Sequence, residues 1–134
     1  MNKEFIPYEQ TLALKELGFD EPCVAFYYGQ LNRLEIGFNW TNEDCKNSLL
    51  EEIVSAPLYQ QAFRWFREKY DLHPSFTRYK SSSINKEPNI FTHLYEIQVI
   101  DENVDKTINV GDFNSIEEAE FECLKKLIEI IKNK

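Results

Sequence analysis

Between Ser55 and Leu72 the apolar positions recur with a helical period. Leu58, Tyr59, Ala62, Phe63, Trp65, Phe66 and Tyr70 fill an arc of roughly 160° when each residue advances about 100°. Gln60, Arg64, Arg67 and Glu68 take the opposite side. The pattern predicts one amphipathic helix, with Phe66 near the middle of its buried face. Phe63 and Trp65 fall at the two margins, so the Trp65 ring is expected to be only partly covered. Lys69 lies inside the apolar arc and is expected to reach out to water along its aliphatic stem. Ser55 suits the cap of this helix and Pro57 its first turn.

The other elements follow from the same reading. Pro7–Leu17 predicts a first helix, with Pro7 in its first turn and Gly18 closing its end. Leu14 and Leu17 lie on one side of it and Tyr8 and Leu12 on another, so contact from two directions is expected. Cys23–Gly29 is a short apolar run that reads as a buried strand. Leu34–Trp40 alternates strictly, with Leu34, Ile36, Phe38 and Trp40 on one face, and predicts a half-buried strand joined to the first by a hairpin. Thr41–Val54 is ambiguous: Leu49, Leu50, Ile53 and Val54 suit a helical turn or two. Strands are expected at Phe76–Lys80, at Thr92–Ile100 with His93, Tyr95, Ile97 and Val99 on one face, and at Thr107–Val110. Asp101–Asp105 reads as a turn. Ser115 with Glu118 is a capping box, and it opens a helix whose apolar face runs from Ile116 to Ile131. Lys125, Lys126, Lys132 and Lys134 suit the negative end of that helix.

The order is α-β-β-α-β-β-β-α. Strands joined by short turns pair antiparallel. The expected class is therefore α+β: an antiparallel sheet of about five strands, as one layer or two smaller ones, with helices on one face.

Composition narrows the picture. The chain has 134 residues, enough for one domain over 1–134 with its own core. With 14% aromatic residues it is too rich in large side chains for a disordered protein. A net charge of −8 argues against a nucleic-acid partner, because neutralising phosphates needs a basic surface. It leaves room for a basic partner or for imitation of DNA. Cys23, Cys45 and Cys123 are odd in number and lack metal spacing, so a disulfide framework is not expected and a reducing, cytoplasmic compartment is. No apolar leader or membrane-length run stands in the sequence, so no membrane partner is expected.

Three blocks carry a likeness to known sequences. They are EFIPYEQTLALKELGFDEPC over Glu4–Cys23, SAPLYQQAFRWFREKY over Ser55–Tyr70 and IEEAEFECLKKLIEIIK over Ile116–Lys132. Together they cover somewhat under half the chain. They resemble a family of short uncharacterised proteins of bacterial, prophage and phage genomes. The resemblance implies a mobile-element context. It implies no activity, cofactor or site residue.

Candidate chemistry is sparse. Glu120 falls within the apolar arc of the last helix, where a carboxylate must be paired or take up a proton. It reads as a buried acid held by Arg78, Lys80, Tyr79 or Tyr95, or else as a general acid or base. His73 and His93 are the only histidines, and nothing in their spacing suggests a metal site. Ser81, Ser82 and Ser83 lack a nucleophile elbow. No phosphate loop or dinucleotide fingerprint is present, and no cofactor is expected. Cys45 reads as an exposed thiol without an activating histidine near it in sequence. Arg64, Trp65 and Arg67 form a candidate binding edge, since arginine and tryptophan concentrate at interaction hot spots.

The reading that results is a small non-enzymatic binding protein, an accessory factor of phage or prophage that binds a host protein or a small ligand. The rivals are an enzyme with an unfamiliar site around Glu120 and His93, and a homo-oligomeric phage component.

Overall fold

The computed structural model describes residues 4–29, 33–46, 53–80, 91–101 and 104–133. In chain order the elements are α1 (Tyr8–Glu16), β1 (Cys23–Tyr28), β2 (Arg33–Trp40), α2 (Asn42–Lys46), β3 (Ile53–Ser55), α3 (Tyr59–Tyr70), β4 (Leu72–Lys80), β5 (Phe91–Asp101), β6 (Val104–Phe113) and α4 (Ile116–Lys132). The class is α+β, as expected. The described strands divide into two antiparallel three-stranded sheets, ordered β2-β1-β3 and β4-β5-β6. Helix α3 separates the two sets of strands in the chain, and each set pairs within itself.

The main core lies between the second sheet and the helices. Leu14 of α1, Ala62, Phe63, Trp65 and Phe66 of α3, and Ala119, Cys123, Leu124 and Leu127 of α4 meet Leu72 and Ile97 there. Phe66 has no exposed surface, as its place in the arc predicts. Asp71, in the left-handed region at φ 54°, ends α3 and turns the chain directly into β4. Pro74 lies in β4, an edge strand, where its missing N–H costs no ladder bond.

Helix α1 is contacted from two directions. Leu14, Ala13 and Leu17 face the main core, while Tyr8 packs edge-on to Tyr27 of β1 at 5.7 Å. A Schellman turn closes the helix: Phe19 N–H donates to Leu14 O at 2.9 Å and Gly18 N–H to Lys15 O at 3.0 Å. Gly18 stands at φ 95°, a conformation that favours glycine.

The first sheet is apolar on both faces. Ala25 and Tyr27 pack with Phe5, Val54 and Leu34 on one side. On the other, Phe26 packs with Cys45, Ile53, Tyr28 and Trp40. This is why β1 reads as a continuous apolar run.

Strand β2 departs from its alternation. Gly37 stands at φ 146°, and the pairing register shifts between Cys23 and Ala25. Leu34 therefore reaches the Tyr27 side, whereas Trp40 stacks on Phe26 on the opposite side, 6.2 Å between centroids. Ile36, expected in the core, is 64% exposed.

Residues 41–54 also differ from the helical turns expected near Val54. Ile53 and Val54 belong to β3, α2 precedes them, and Leu49 and Leu50 lie outside the described residues. Ser55 does not cap α3. It ends β3 and donates its hydroxyl to Trp40 O at 2.9 Å. Leu58 takes the cap position without a side-chain bond, and Pro57 precedes the first turn instead of entering it. Pro7 likewise sits at the cap of α1.

Strand β6 is longer than expected. It begins at Val104, directly opposite Asp101, and a register shift sets Tyr95 against Gly111 and Glu96 against Asn109. Val110 is the extra residue of this bulge. It lets Ile108 and Phe113, of opposite parity, both pack against the helices. No helix among the described residues is long and apolar enough to cross a membrane.

Candidate functional site

A cleft forms where α3 and α4 begin. Ser115 caps α4, its Oγ accepting the Glu118 N–H at 3.2 Å. That cap sets the phase of the first turns, so Ile116, Glu117 and Glu120 turn toward the start of α3. Leu58, Tyr59 and Gln60 form the facing wall. Glu4 completes the lining from the N-terminal segment. Its place there follows from the Phe5–Leu58 bridge and from the Ile6 N–H, which donates to Pro57 O at 3.0 Å. The cleft holds about 410 Å³.

Its electrostatics are one-sided. Glu4, Glu117 and Glu120 line it, and among the described residues no basic side chain does. Burial, and then the neighbouring Glu117, raise the Glu120 carboxyl above the usual carboxylate range. The Tyr59 hydroxyl is raised too, by burial first and by Glu120 second. Leu58, the Tyr59 ring and the exposed Ile116 supply apolar wall between the charges. Among the described residues no three His, Cys, Asp or Glu side chains gather closely enough to hold a metal ion. The cleft thus offers spaced carboxylates and apolar surface, an arrangement suited to a cation with an apolar flank.

Glu120 is half-buried at the cleft, and among the described residues it has no hydrogen-bonding or cationic partner. The side chains of Arg78, Tyr79, Lys80 and Tyr95, the partners expected for it, lie outside those described. So does the side chain of His93, whose backbone pairs with Arg78 and Phe113.

The edge of Arg64, Trp65 and Arg67 does not present an aromatic ring. Trp65 is only 6% exposed. Phe19 stands edge-on to it at 5.4 Å, and Lys69 Nζ lies 5.1 Å from its centroid. Lys69 thereby leaves the apolar arc as expected, and covers the ring that was expected to be bare. Arg64 Nη2 approaches Glu21 Oε1 at 3.5 Å, and Gln61 Nε2 donates to Pro22 O at 2.9 Å. This face of α3 is tied to the segment before β1. Arg67 is half-buried.

Cys45 is buried, contrary to expectation, with its Sγ 3.6 Å from Ser55 Oγ. Burial raises its pKa, and burial pushes Cys23 and Cys123 up to about 12. All three stay protonated near neutrality, the opposite of an activated thiol. His73 Nε2 is enclosed and 3.9 Å from Asp71 Oδ1, too far for a hydrogen bond. Ser81, Ser82 and Ser83 lie outside the described residues.

Sequence reasoning singled out Glu120 but missed Glu4 and Glu117. Glu117 read as one more carboxylate favouring a helix start. No local pattern marks Glu4, because its place depends on the bridge to Leu58.

No protein-family model matches the chain, and no curated protein and no solved structure is significantly similar to it.

Proposed function

We propose that the chain is a small binding protein, an accessory factor of phage or prophage, that takes a basic and apolar segment of another protein into the cleft at the start of α3 and α4. The observation that carries this reading is the lining: Glu4, Glu117 and Glu120 beside Leu58 and Ile116, with no basic side chain among the described residues there. A half-buried carboxylate is costly unless a cation faces it. A lysine or arginine beside Glu120 would favour its ionised form, while the aliphatic stem of that residue covers Leu58 and Ile116. The edge of Arg64, Trp65 and Arg67 is the weaker candidate, because its ring is covered and Arg64 already meets Glu21.

The test is affinity capture from a bacterial host, followed by titration of the purified partner. Glu117→Gln with Glu120→Gln should weaken binding by about tenfold or more and flatten its dependence on salt. Unchanged affinity, in a variant with the same unfolding midpoint, would remove the cleft from consideration. The origin is tested by the neighbouring genes: phage structural or lysis genes would support it.

The raised pKa of Glu120 favours a second reading, a general acid working in the same cleft. Glu120→Gln that keeps ligand affinity but abolishes turnover of that ligand would select it.

A further inference from the structure

Strand β2 stands at the end of the order β2-β1-β3, and among the described residues no strand pairs with its outer side. The register fixes which groups stand on that edge. The Ala56 N–H donates to Ala25 O at 2.9 Å, so Ala25 turns its backbone groups toward β3. Successive residues of a strand alternate, so Phe26 and Tyr28 turn theirs toward β2. Their partners there are Glu35 and Arg33. Leu34 and Ile36 therefore direct their N–H and C=O groups outward. The Leu34 side chain packs with the Tyr27 cluster, whereas Ile36, on the same face, is 64% exposed. On the opposite face Arg33 pairs with Glu35, and its guanidinium lies 6.0 Å from the Tyr28 ring centroid.

We propose that this edge receives a second copy of the chain, β2 against β2, antiparallel about a two-fold axis at Leu34. The charges choose both the occupant and the register. Antiparallel pairing sets outward-facing residues opposite one another. With the axis at Leu34, each Arg33 stands opposite the partner's Glu35. The four charged groups then alternate in sign across the join, and opposite charges facing each other across strands are favourable. With the axis at Glu35, two carboxylates would face each other, which is unfavourable. With the axis at Ile36, Glu35 would face the partner's Gly37 and no cation, where φ of 146° and a register shift disturb the ladder. The register at Leu34 also sets the two Leu34 side chains side by side. It brings Ile36 diagonal to the partner's Leu34, within reach of an aliphatic contact. Apolar surface that one copy exposes is thereby covered by the other. Edges that keep copies apart carry charges that repel their like. Here the signs are mixed and self-complementary, so the edge admits its own copy.

The experiment is sedimentation equilibrium of the full chain over a range of concentrations. The buffer holds enough salt to screen the long-range repulsion between two chains of net charge −8. The wild type should reach twice the chain mass of 15.9 kDa. Arg33→Glu and Glu35→Arg each set like charges against like across the axis, so each variant should be monomeric alone. Mixed in equal amounts they should dimerise again, because every facing pair is then of opposite sign. In the wild type, amide exchange followed by NMR should slow at Leu34 as the protein is concentrated. The Glu35 amide, which faces β1 within one copy, should not change. The exchange measurement needs no variant to fold. A wild type that stays monomeric at every concentration overturns the proposal. So does a dimer that both variants keep, or one in which exchange at Leu34 is indifferent to concentration. Two variants that are monomeric alone and stay so when mixed, with thermal midpoints equal to wild type, overturn the register.

Discussion

Asn42 holds the backbone of Ser55: its Oδ1 accepts the Ser55 N–H at 3.0 Å, while its Nδ2 donates to Phe19 O at 2.9 Å. Ser55 lies opposite Phe26 in β3, an edge strand of the first sheet. Its N–H therefore points away from β1 and would be unpaired without Asn42. One buried amide thus joins α2, the end of β3 and the turn after α1. Asn42→Ala leaves a donor and an acceptor without partners, and should cost about 2–4 kcal/mol in a urea unfolding titration. A loss below about 1 kcal/mol would show that water replaces the amide.

Phe66 is enclosed on α3 and touches the rings of Trp65 and Tyr70 at 5.0 and 6.2 Å. Phe66→Ala should cost about 3–5 kcal/mol, the range for a buried phenylalanine. The same titration checks it, and a loss under about 1 kcal/mol would place the buried face of α3 elsewhere.

Gly18 closes α1 at a positive φ, and a Cβ built there would lie 3.5 Å from Lys69 Nζ. That contact is ordinary, so backbone strain decides the outcome. Gly18→Ala should lower stability by about 1–2 kcal/mol. Thermal unfolding of the two proteins compares them, and an equal midpoint would count against the Schellman turn.

Glu120 sets a pH dependence. Its folded pKa lies above the ordinary carboxylate value, so the unfolded chain releases this proton first as pH rises. Below the ordinary value both states hold the proton and Glu120 costs nothing. As pH rises through and beyond that value, the folded state is penalised, and the penalty is full above the raised pKa. Glu120→Gln should therefore raise the thermal midpoint near neutral pH and leave it unchanged near pH 4. Glu122→Gln should not show this pattern. A lowered midpoint for Glu120→Gln at neutral pH would reveal a partner that holds the carboxylate.

The sequence by itself determined the class of the fold, the faces of α3 and α4, and the cap at Ser115. These depend on periodicity and on groups a few residues apart, which any folded context preserves. The two-sided contact of α1 was legible for the same reason. The tertiary structure alone decided the rest. Trp65 stands at the margin of its helix, and its burial depends on Phe19, delivered by the turn at Gly18, and on the path of Lys69. The two faces of β2 depend on Gly37 and a register shift, and alternation assumes a regular ladder. The cleft joins Glu4, the start of α3 and the start of α4. It brings together residues distant in the chain, and which of them meet is set by how the helices and sheets pack, a choice that no local spacing encodes.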